Sequence, residues 1–223
     1  MGMPTYIQVN PMSFQRKKMK ESIKIDGEDV KVWDDPDVKF LSQSPSMFMI
    51  DWNTSEEFNQ RIADKMLELE QSEKFTHQLQ NAGPKIKDVH KWGIPEVDLI
   101  HERAMEFFAQ ATGNPKPTVD VAWGNINRHN QYLGAHSHTN CVGSVVYCVG
   151  LGDVDPDNEL SGRFVIIDPR VDECCPIEEG RVTMELTPDM KPGSMLAFPS
   201  DIVHFVHPYT GHKPRMTIAW NLK

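Results

Sequence analysis

The sequence predicts a mainly β fold with helices in its N-terminal half, and two observations carry this prediction. Two stretches between residues 54 and 112 repeat apolar residues at three- and four-residue steps, the spacing of one face of an α-helix. After residue 118 the pattern changes to short β-prone runs separated by Gly, Pro, Asp and Asn, which is typical of an antiparallel sandwich or barrel. We therefore expect a single domain over residues 1–223, in which a mixed helical and β part (1–117) packs on a β core (118–223).

The first elements along the chain are predicted to be a hairpin and a capped helix. In IDGEDVKV, the Asp26-Gly27 pair separates two β-like halves, which is a hairpin signal. Thr54 and Glu57 have the spacing of a capping box at the start of a helix. The apolar stripe of this helix consists of Phe58, Ile62, Met66 and Leu69.

A second helix is predicted from about Pro95 to Thr112. Proline is favoured at the first helical position and glycine just past the end, where Gly113 stands. The apolar face of this helix consists of Leu99, Ile100, Phe107, Phe108 and Ala111. The β-prone runs that follow are TVDVAWGNIN, CVGSVVYCVG, GRFVIID, RVTMEL, SMLAFPS, VHFVHP and RMTIAWNL.

Charge and composition exclude several classes of protein. The net charge of −9 argues against a general binder of nucleic acid or of anionic membranes. No stretch approaches the roughly 20 apolar residues of a membrane span, and no signal-peptide pattern is visible. The 4 cysteines form no CxxC motif, which favours reduced thiols in a cytoplasmic protein.

Histidines in the β half are the first candidates for chemistry. His136 and His138 stand two residues apart, so an extended strand aims both imidazoles at one point. A barrel brings distant strands side by side, which lets His204 join His136 across the wall. Imidazole is a common ligand of iron, zinc, copper and nickel. We interpret the nearby His207 and His212 as surface residues.

Arg215 and Thr217 on the predicted last strand form a candidate carboxylate receptor. The two residues share a strand face because they are two positions apart. A guanidinium binds two carboxylate oxygens at once, and the hydroxyl adds a further hydrogen bond.

Along the chain, the candidate residues follow the order His-x-His (136–138), His204 and Arg-x-Thr (215–217). This order resembles that of the Fe(II)- and 2-oxoglutarate-dependent dioxygenases of the double-stranded β-helix fold. Within them, the sequence resembles a group of bacterial and phage proteins related to prolyl hydroxylases. The resemblance covers about residues 118–223. It rests on Trp123, Asn125–Asn127, His136–His138, SVVYC at 144–148, GSMLAFPSDIVHFV at 193–206 and RMTIAWN at 215–221.

The resemblance implies a double-stranded β-helix (jelly-roll, cupin-like) core, with Fe(II), 2-oxoglutarate and O2 as cofactor and co-substrates. It also implies that His136 and His204 bind the iron and that Arg215 and Thr217 hold the distal carboxylate of 2-oxoglutarate. The implied activity is hydroxylation of a substrate, with decarboxylation of 2-oxoglutarate to succinate. Two further residues are expected to line the co-substrate pocket: Asn127 and Ser144.

Two positions depart from the pattern of the wider superfamily. The third metal ligand is usually a carboxylate, whereas this chain has His138, which we expect to be the ligand. Three neutral ligands make the site one unit more positive and favour a dianionic co-substrate. Alternatively, His138 points away and water or another residue takes its place. Cys148 stands where relatives often have a tyrosine, so one hydrogen bond to 2-oxoglutarate is missing or comes from elsewhere, for instance from Tyr132.

Two other functions fit parts of the pattern. A cupin-type metal-binding protein without 2-oxoglutarate chemistry explains the histidines but leaves Arg215 without a task. A metal-free β-sandwich interaction module is compatible with scattered histidines, but the ordered pair of Arg215 and Thr217 does not support it. The substrate of the oxygenase alternative is a small molecule or a peptide or protein residue, and the motifs specify no oligomeric state.

Overall fold

The computed structural model describes residues 20–33, 37–43, 46–72, 82–153, 155–168 and 184–223. The strands are β1 (Ser22–Ile25), β2 (Glu28–Lys31), β3 (Asp37–Gln43), β4 (Ser46–Asp51), β5 (Lys85–Lys87), β6 (Val119–Asn127), β7 (Leu133–His136), β8 (Gly143–Gly150), β9 (Phe164–Asp168), β10 (Met184–Leu186), β11 (Ser194–Pro199), β12 (Val203–Val206) and β13 (Arg215–Leu222). The α-helices are α1 (Glu56–Ser72) and α2 (Pro95–Thr112), and a 3-10 turn covers Val89–Lys91. Within these ranges, no helix has the length and apolar character needed to cross a bilayer.

The last eight strands are divided between two sheets, and β9 and β10 form a hairpin in the smaller one. The larger sheet has the order β3-β4-β11-β8-β13-β6-β5, and the smaller sheet has the order β10-β9-β12-β7. Strands β6, β8, β11 and β13 lie in the larger sheet, and the strands between them in sequence lie in the smaller one. All the pairs are antiparallel. This is the jelly-roll order of a double-stranded β-helix, which confirms the predicted fold class.

The larger sheet is covered on both faces. On β8, Val145 and Tyr147 belong to the apolar cluster shared with α1 and α2, whereas Val146 and Cys148 belong to the cluster between the sheets. Successive side chains of a strand point to opposite faces, which is why one strand feeds both clusters. The unbroken apolar run of β8 follows from this double burial.

Helix α1 begins one residue later than the predicted capping box. The hydroxyl of Ser55 accepts a hydrogen bond from the backbone N–H of Phe58 at 3.1 Å, and its carbonyl accepts the first helical bond from Asn59. Ser55 is therefore the N-cap residue. The hydroxyl of Thr54 instead accepts a hydrogen bond from the side-chain amide of Asn59 at 3.0 Å. The capping-box prediction for Thr54 was wrong by one position, because serine and threonine are adjacent and both suit the cap.

The hairpin and the second helix confirm their predictions. Asp26 and Gly27 have φ values of 52° and 87°, the left-handed pair that a tight two-residue hairpin turn requires. Helix α2 covers Pro95–Thr112, and Gly113 ends it with a φ of 72°.

Gly124 on β6 allows the larger sheet to approach the helical layer. A Cβ at this position would lie 2.6 Å from Cη2 of Trp92 and 2.9 Å from Cε of Met66. We expect Gly124→Val to lower the free energy of unfolding by about 1–3 kcal/mol, because extra atoms overpack this contact. Urea denaturation measures the change. Gly150→Val is the control, since no atom lies within 4 Å of a Cβ there; equal losses in the two variants would contradict the packing argument.

Candidate active site

Three histidines converge at one end of the smaller sheet. His136 ends β7 and faces His204 of β12 in antiparallel register. His138 follows β7, and its backbone N–H donates to the carbonyl of Ser200 at 2.8 Å. One ring nitrogen of each histidine lies within 4.8 Å of those of the other two. The three imidazoles can therefore hold one metal ion, as a facial set of ligands requires.

Backbone carbonyls orient two of the three rings. Nδ1 of His136 lies 2.8 Å from the carbonyl oxygen of Gly134, and Nδ1 of His204 lies 3.0 Å from that of Ile202. A ring nitrogen beside a carbonyl oxygen carries the proton, so the lone pair of the neutral imidazole is on Nε2. The same arrangement orients histidine ligands in metal sites.

Two successive hydrogen bonds between side chains orient the ring of His138. The hydroxyl of Ser144 donates to Oδ1 of Asn221 at 2.9 Å, and Nδ2 of Asn221 lies 3.2 Å from Nδ1 of His138. In this arrangement, His138 carries its proton on Nε2, which lies 3.2 Å from Nε2 of His204. Binding of a metal to Nε2 of His138 requires the proton to move to Nδ1, and the Asn221 amide must then present its oxygen. Asn221 had no predicted role, although strand alternation from Arg215 and Thr217 puts this last residue of the RMTIAWN motif on the same face.

Burial keeps the histidine cluster neutral. Desolvation lowers the pKa of His138 to about 4 and that of His204 to about 3, and neighbouring histidines contribute. Desolvation also lowers the pKa of His136, which the hydrogen bond to Gly134 partly offsets. Neutral imidazole is the form that binds metals.

We expect the metal-free protein to lose stability as the pH falls from 7 to 5. Unfolded histidines take up protons near the ordinary pKa of 6.5, whereas the buried ones do so only at lower pH. The unfolded chain therefore binds more protons in this window, and the free energy of unfolding falls with the pH. Melting temperatures in the presence of a chelator measure this effect. His204→Gln removes one such group and should flatten the dependence; an unchanged slope in that variant would contradict the assignment.

A buried cation lies beside the histidines. Arg215 is 4% exposed, and its Nη1 donates to Oδ1 of Asn127 at 3.2 Å. Its Nε is buried and has no hydrogen-bond partner among the described residues. Complete burial lowers the pKa of this guanidinium, which is still charged at neutral pH. An unsatisfied buried guanidinium is the expected receptor for an anion such as a carboxylate.

Hydrogen bonds connect two side chains of the neighbouring strand β6 to Thr217 of β13. The indole N–H of Trp123 donates to Oδ1 of Asn125 at 2.9 Å, and Nδ2 of Asn125 donates to the hydroxyl of Thr217 at 3.2 Å. The hydroxyl proton of Thr217 remains available for a ligand in the cavity. Asn125 had no assigned role, although strand alternation from Asn127 placed it on the same face.

One cavity between the two sheets contains all the predicted site residues. None of the described residues that line it is acidic. The lining residues are Ala82, Trp123, Asn125, Asn127, Leu133, His136, His138, Ser144, Val146, Phe164, His204, Val206, Arg215, Thr217, Ala219 and Asn221. The structure thus brings together the histidines with Arg215 and Thr217, which the sequence analysis selected.

Two residues near the cavity have other roles than the predicted ones. Tyr132 is 36% exposed and does not line the cavity, so nothing supports it as the source of a missing hydrogen bond. The thiol of Cys148 is 1% exposed, and burial raises its pKa to about 11. Cys148 is therefore a neutral residue in the apolar layer between the sheets.

Comparisons with known proteins agree with this geometry. Residues 121–221 match the model of a family described as "Putative 2OG-Fe(II) oxygenase", while no curated protein matches the chain. Similar solved structures include AviO1 from Streptomyces viridochromogenes, with 15% identity, a TM-score of 0.56 and coverage of 79% of this chain and 88% of that one. A prolyl-4-hydroxylase from Pseudomonas putida has 12% identity, a TM-score of 0.55 and coverage of 78% and 91%. HygX from Streptomyces hygroscopicus, with nickel and 2-oxoglutarate bound, has 8% identity, a TM-score of 0.58 and coverage of 82% and 87%.

The fold and the site together define the class of protein. A jelly roll with a histidine cluster and a buried arginine in one cavity is the framework of a metal-dependent enzyme. Residues 121–221 match the family of 2-oxoglutarate- and Fe(II)-dependent oxygenases that the sequence motifs resemble. Its cofactor and co-substrate are accordingly Fe(II) and 2-oxoglutarate, and the match favours this class over the cupin and the metal-free alternatives.

Proposed function

We propose that this chain hydroxylates a substrate at an iron held by His136, His138 and His204, with decarboxylation of 2-oxoglutarate to succinate. The observation that carries the proposal is the convergence of the three ring nitrogens within 4.8 Å of one another in a cavity that also contains the buried Arg215. When bound, Fe(II) and 2-oxoglutarate supply the oxidising chemistry with O2. The protein supplies ligands, orientation and a dry cavity.

The carboxylate receptor in this proposal is Arg215 with Thr217. Arg215 offers its unpaired Nε, and Asn127 holds the other side of the guanidinium at 3.2 Å. Thr217 accepts a hydrogen bond from Asn125 and so donates its own proton to the distal carboxylate. Asn127 then acts mainly by positioning Arg215.

Neutral ligands and apolar walls complete the proposed site. Three neutral imidazoles leave the metal charge to be balanced by the dianionic co-substrate, which favours binding of 2-oxoglutarate over neutral compounds. Ser144 contributes through Asn221, which contacts His138. Apolar side chains exclude water from the cavity; they are Leu133, Val146, Phe164, Val206 and Ala219.

We also propose that residues 1–117 and 118–223 form one domain. Strands β3 and β4 extend one edge of the larger sheet, and β5 extends the other. Helices α1 and α2 share an apolar cluster with the same sheet. A fragment that begins at residue 118 would expose this cluster and should not fold alone; a cooperative unfolding transition of that fragment would refute the proposal.

Turnover of 2-oxoglutarate tests the proposed function. Wild-type protein with Fe(II) in air should convert 2-oxoglutarate to succinate even without a substrate, and His136→Ala should not. A second measurement distinguishes the oxygenase from the cupin alternative. In the oxygenase, 2-oxoglutarate should raise the melting temperature only when a divalent metal is present. If the wild type shows no metal-dependent binding of 2-oxoglutarate, the proposed enzymatic function is rejected.

A further inference from the structure

Lys85 is a cation that the proposed chemistry does not use. It lies on β5, at the edge of the larger sheet, directly opposite Asn125 of β6. Asn125 is in turn opposite Thr217 of β13. Residues opposite each other on paired strands project to the same face. The side chain of Lys85 therefore emerges on the face of the sheet that carries the cavity.

The ammonium group of Lys85 packs against an aromatic residue of the cavity wall. Nζ lies 4.7 Å from the ring centroid of Trp123, which lines the cavity, and the Trp123 ring lies 5.9 Å from that of His138. The ammonium group thus lies against an aromatic side chain of the cavity wall, which itself packs near His138.

Lys85 lacks a counter-ion among the described residues. Its ammonium makes no ion pair with them, and burial lowers its pKa. By contrast, the partly buried Lys65 pairs with Glu68 at 2.9 Å. A half-buried ammonium without an anion costs free energy, which contact with an aromatic ring offsets only in part. An anionic ligand would remove this cost.

The charge balance around the cavity also favours an anionic ligand. The described residues that line the cavity include no acidic side chain. The charge of Fe(II) and that of dianionic 2-oxoglutarate cancel when both are bound. Arg215 in the lining and Lys85, which borders the cavity at Trp123, then leave this region positive, so a substrate that carries a negative charge is favoured over a neutral one.

We propose that Lys85 binds a carboxylate of the primary substrate and so directs a nearby C–H bond of that substrate to the metal. This inference rests on the proposed function. A single ammonium matches the single charge of a carboxylate, whereas a phosphate dianion generally requires several donors. The carboxylate belongs to a small organic acid or to an acidic residue of a peptide.

Matched pairs of acids and amides test this inference by calorimetry. Protein loaded with Ni(II) and 2-oxoglutarate is titrated with small monocarboxylic acids and their carboxamides in one arm. A second arm uses peptides that contain Asp or Glu and their Asn or Gln counterparts. We expect acids of one arm to bind and their amides to bind at least about tenfold more weakly, as loss of a charge-assisted hydrogen bond predicts.

Variants of Lys85 test whether this side chain causes the preference for acids over amides. Lys85→Met should lose the preference for acids by about tenfold to a hundredfold, while Lys85→Arg should retain most of it. Lys87→Met is the matched control, an exposed lysine on the same strand that should behave as wild type. Equal binding of acids and amides, failure of every acid to bind, or an unchanged preference in Lys85→Met would overturn the inference.

Succinate formation in the absence of substrate separates this inference from the proposed function. Lys85→Met should still convert 2-oxoglutarate at the wild-type uncoupled rate, because Lys85 is assigned only to the substrate. An inactive wild type would reject the proposed function. Acid binding that depends on Lys85 in that inactive protein would still support a carboxylate subsite.

Discussion

Replacing His204 by alanine is expected to abolish metal binding and, with it, the turnover of 2-oxoglutarate. His204 lies at the centre of the cluster, with ring centroids 4.2 Å from that of His136 and 5.0 Å from that of His138. Loss of a residue that merely orients a ligand costs about 10- to 100-fold in metal affinity. Loss of the ligand itself should cost more, at least about 100-fold. Calorimetric titration with Ni(II) measures the affinity, and succinate formation with Fe(II) measures the turnover.

A histidine outside the cluster is the control for His204→Ala. His212 is exposed and stacks on His129 with ring centroids 5.8 Å apart. His212→Ala should bind metal as the wild type does. Equal metal affinity in His204→Ala and the wild type would remove the proposed metal site.

The same titration decides the role of His138. If it is the third ligand, His138→Ala should also weaken metal binding by at least about 100-fold. If His138→Ala instead binds Ni(II) as tightly as the wild type, His138 is not a ligand of the metal. Asn221→Ala gives an intermediate case, because Asn221 contacts His138 and no other ring of the cluster. An affinity loss of about 10-fold is expected for it.

Replacing Arg215 by methionine is expected to raise the Kd for 2-oxoglutarate by at least about 100-fold. Removal of one partner of a buried ion pair costs about 3–5 kcal/mol, since the other charge is left without compensation. Methionine fills much of the volume of the arginine stem but offers no donor. Calorimetric titration of 2-oxoglutarate into Ni(II)-loaded protein measures the change, and metal affinity should stay within about twofold of the wild type.

Stability measurements should distinguish this effect from unfolding. Without 2-oxoglutarate, Nε of Arg215 is buried and unsatisfied, so its removal relieves a cost. We therefore expect Arg215→Met to melt at the same or a higher temperature than the wild type when no ligand is present. Arg163→Met is the control, because Arg163 is 40% exposed and pairs with Asp189 at the surface. A 2-oxoglutarate affinity that falls equally in both variants would contradict the assignment of the receptor.

Local sequence patterns predicted the elements whose signals lie within one segment. Asp26-Gly27 specified the hairpin turn because few residues tolerate two consecutive positive φ angles. Pro95 and Gly113 bounded α2 because each suits only one end of a helix. Thr54 failed as a cap because an equally suitable serine follows it, and only the path of the chain selects between them.

The sequence by itself predicted the jelly-roll class, the resemblance to the oxygenase family and seven of the residues that line the cavity. Those results followed from alternation along strands and from motifs in a recognisable order. Only the tertiary structure decided which of these side chains contact each other. The link between Ser144, Asn221 and His138, and the position of Lys85 opposite Asn125, depend on the register between strands far apart in sequence. Register is set by the packing of whole sheets, and a shift of one residue would turn each of these side chains to the opposite face.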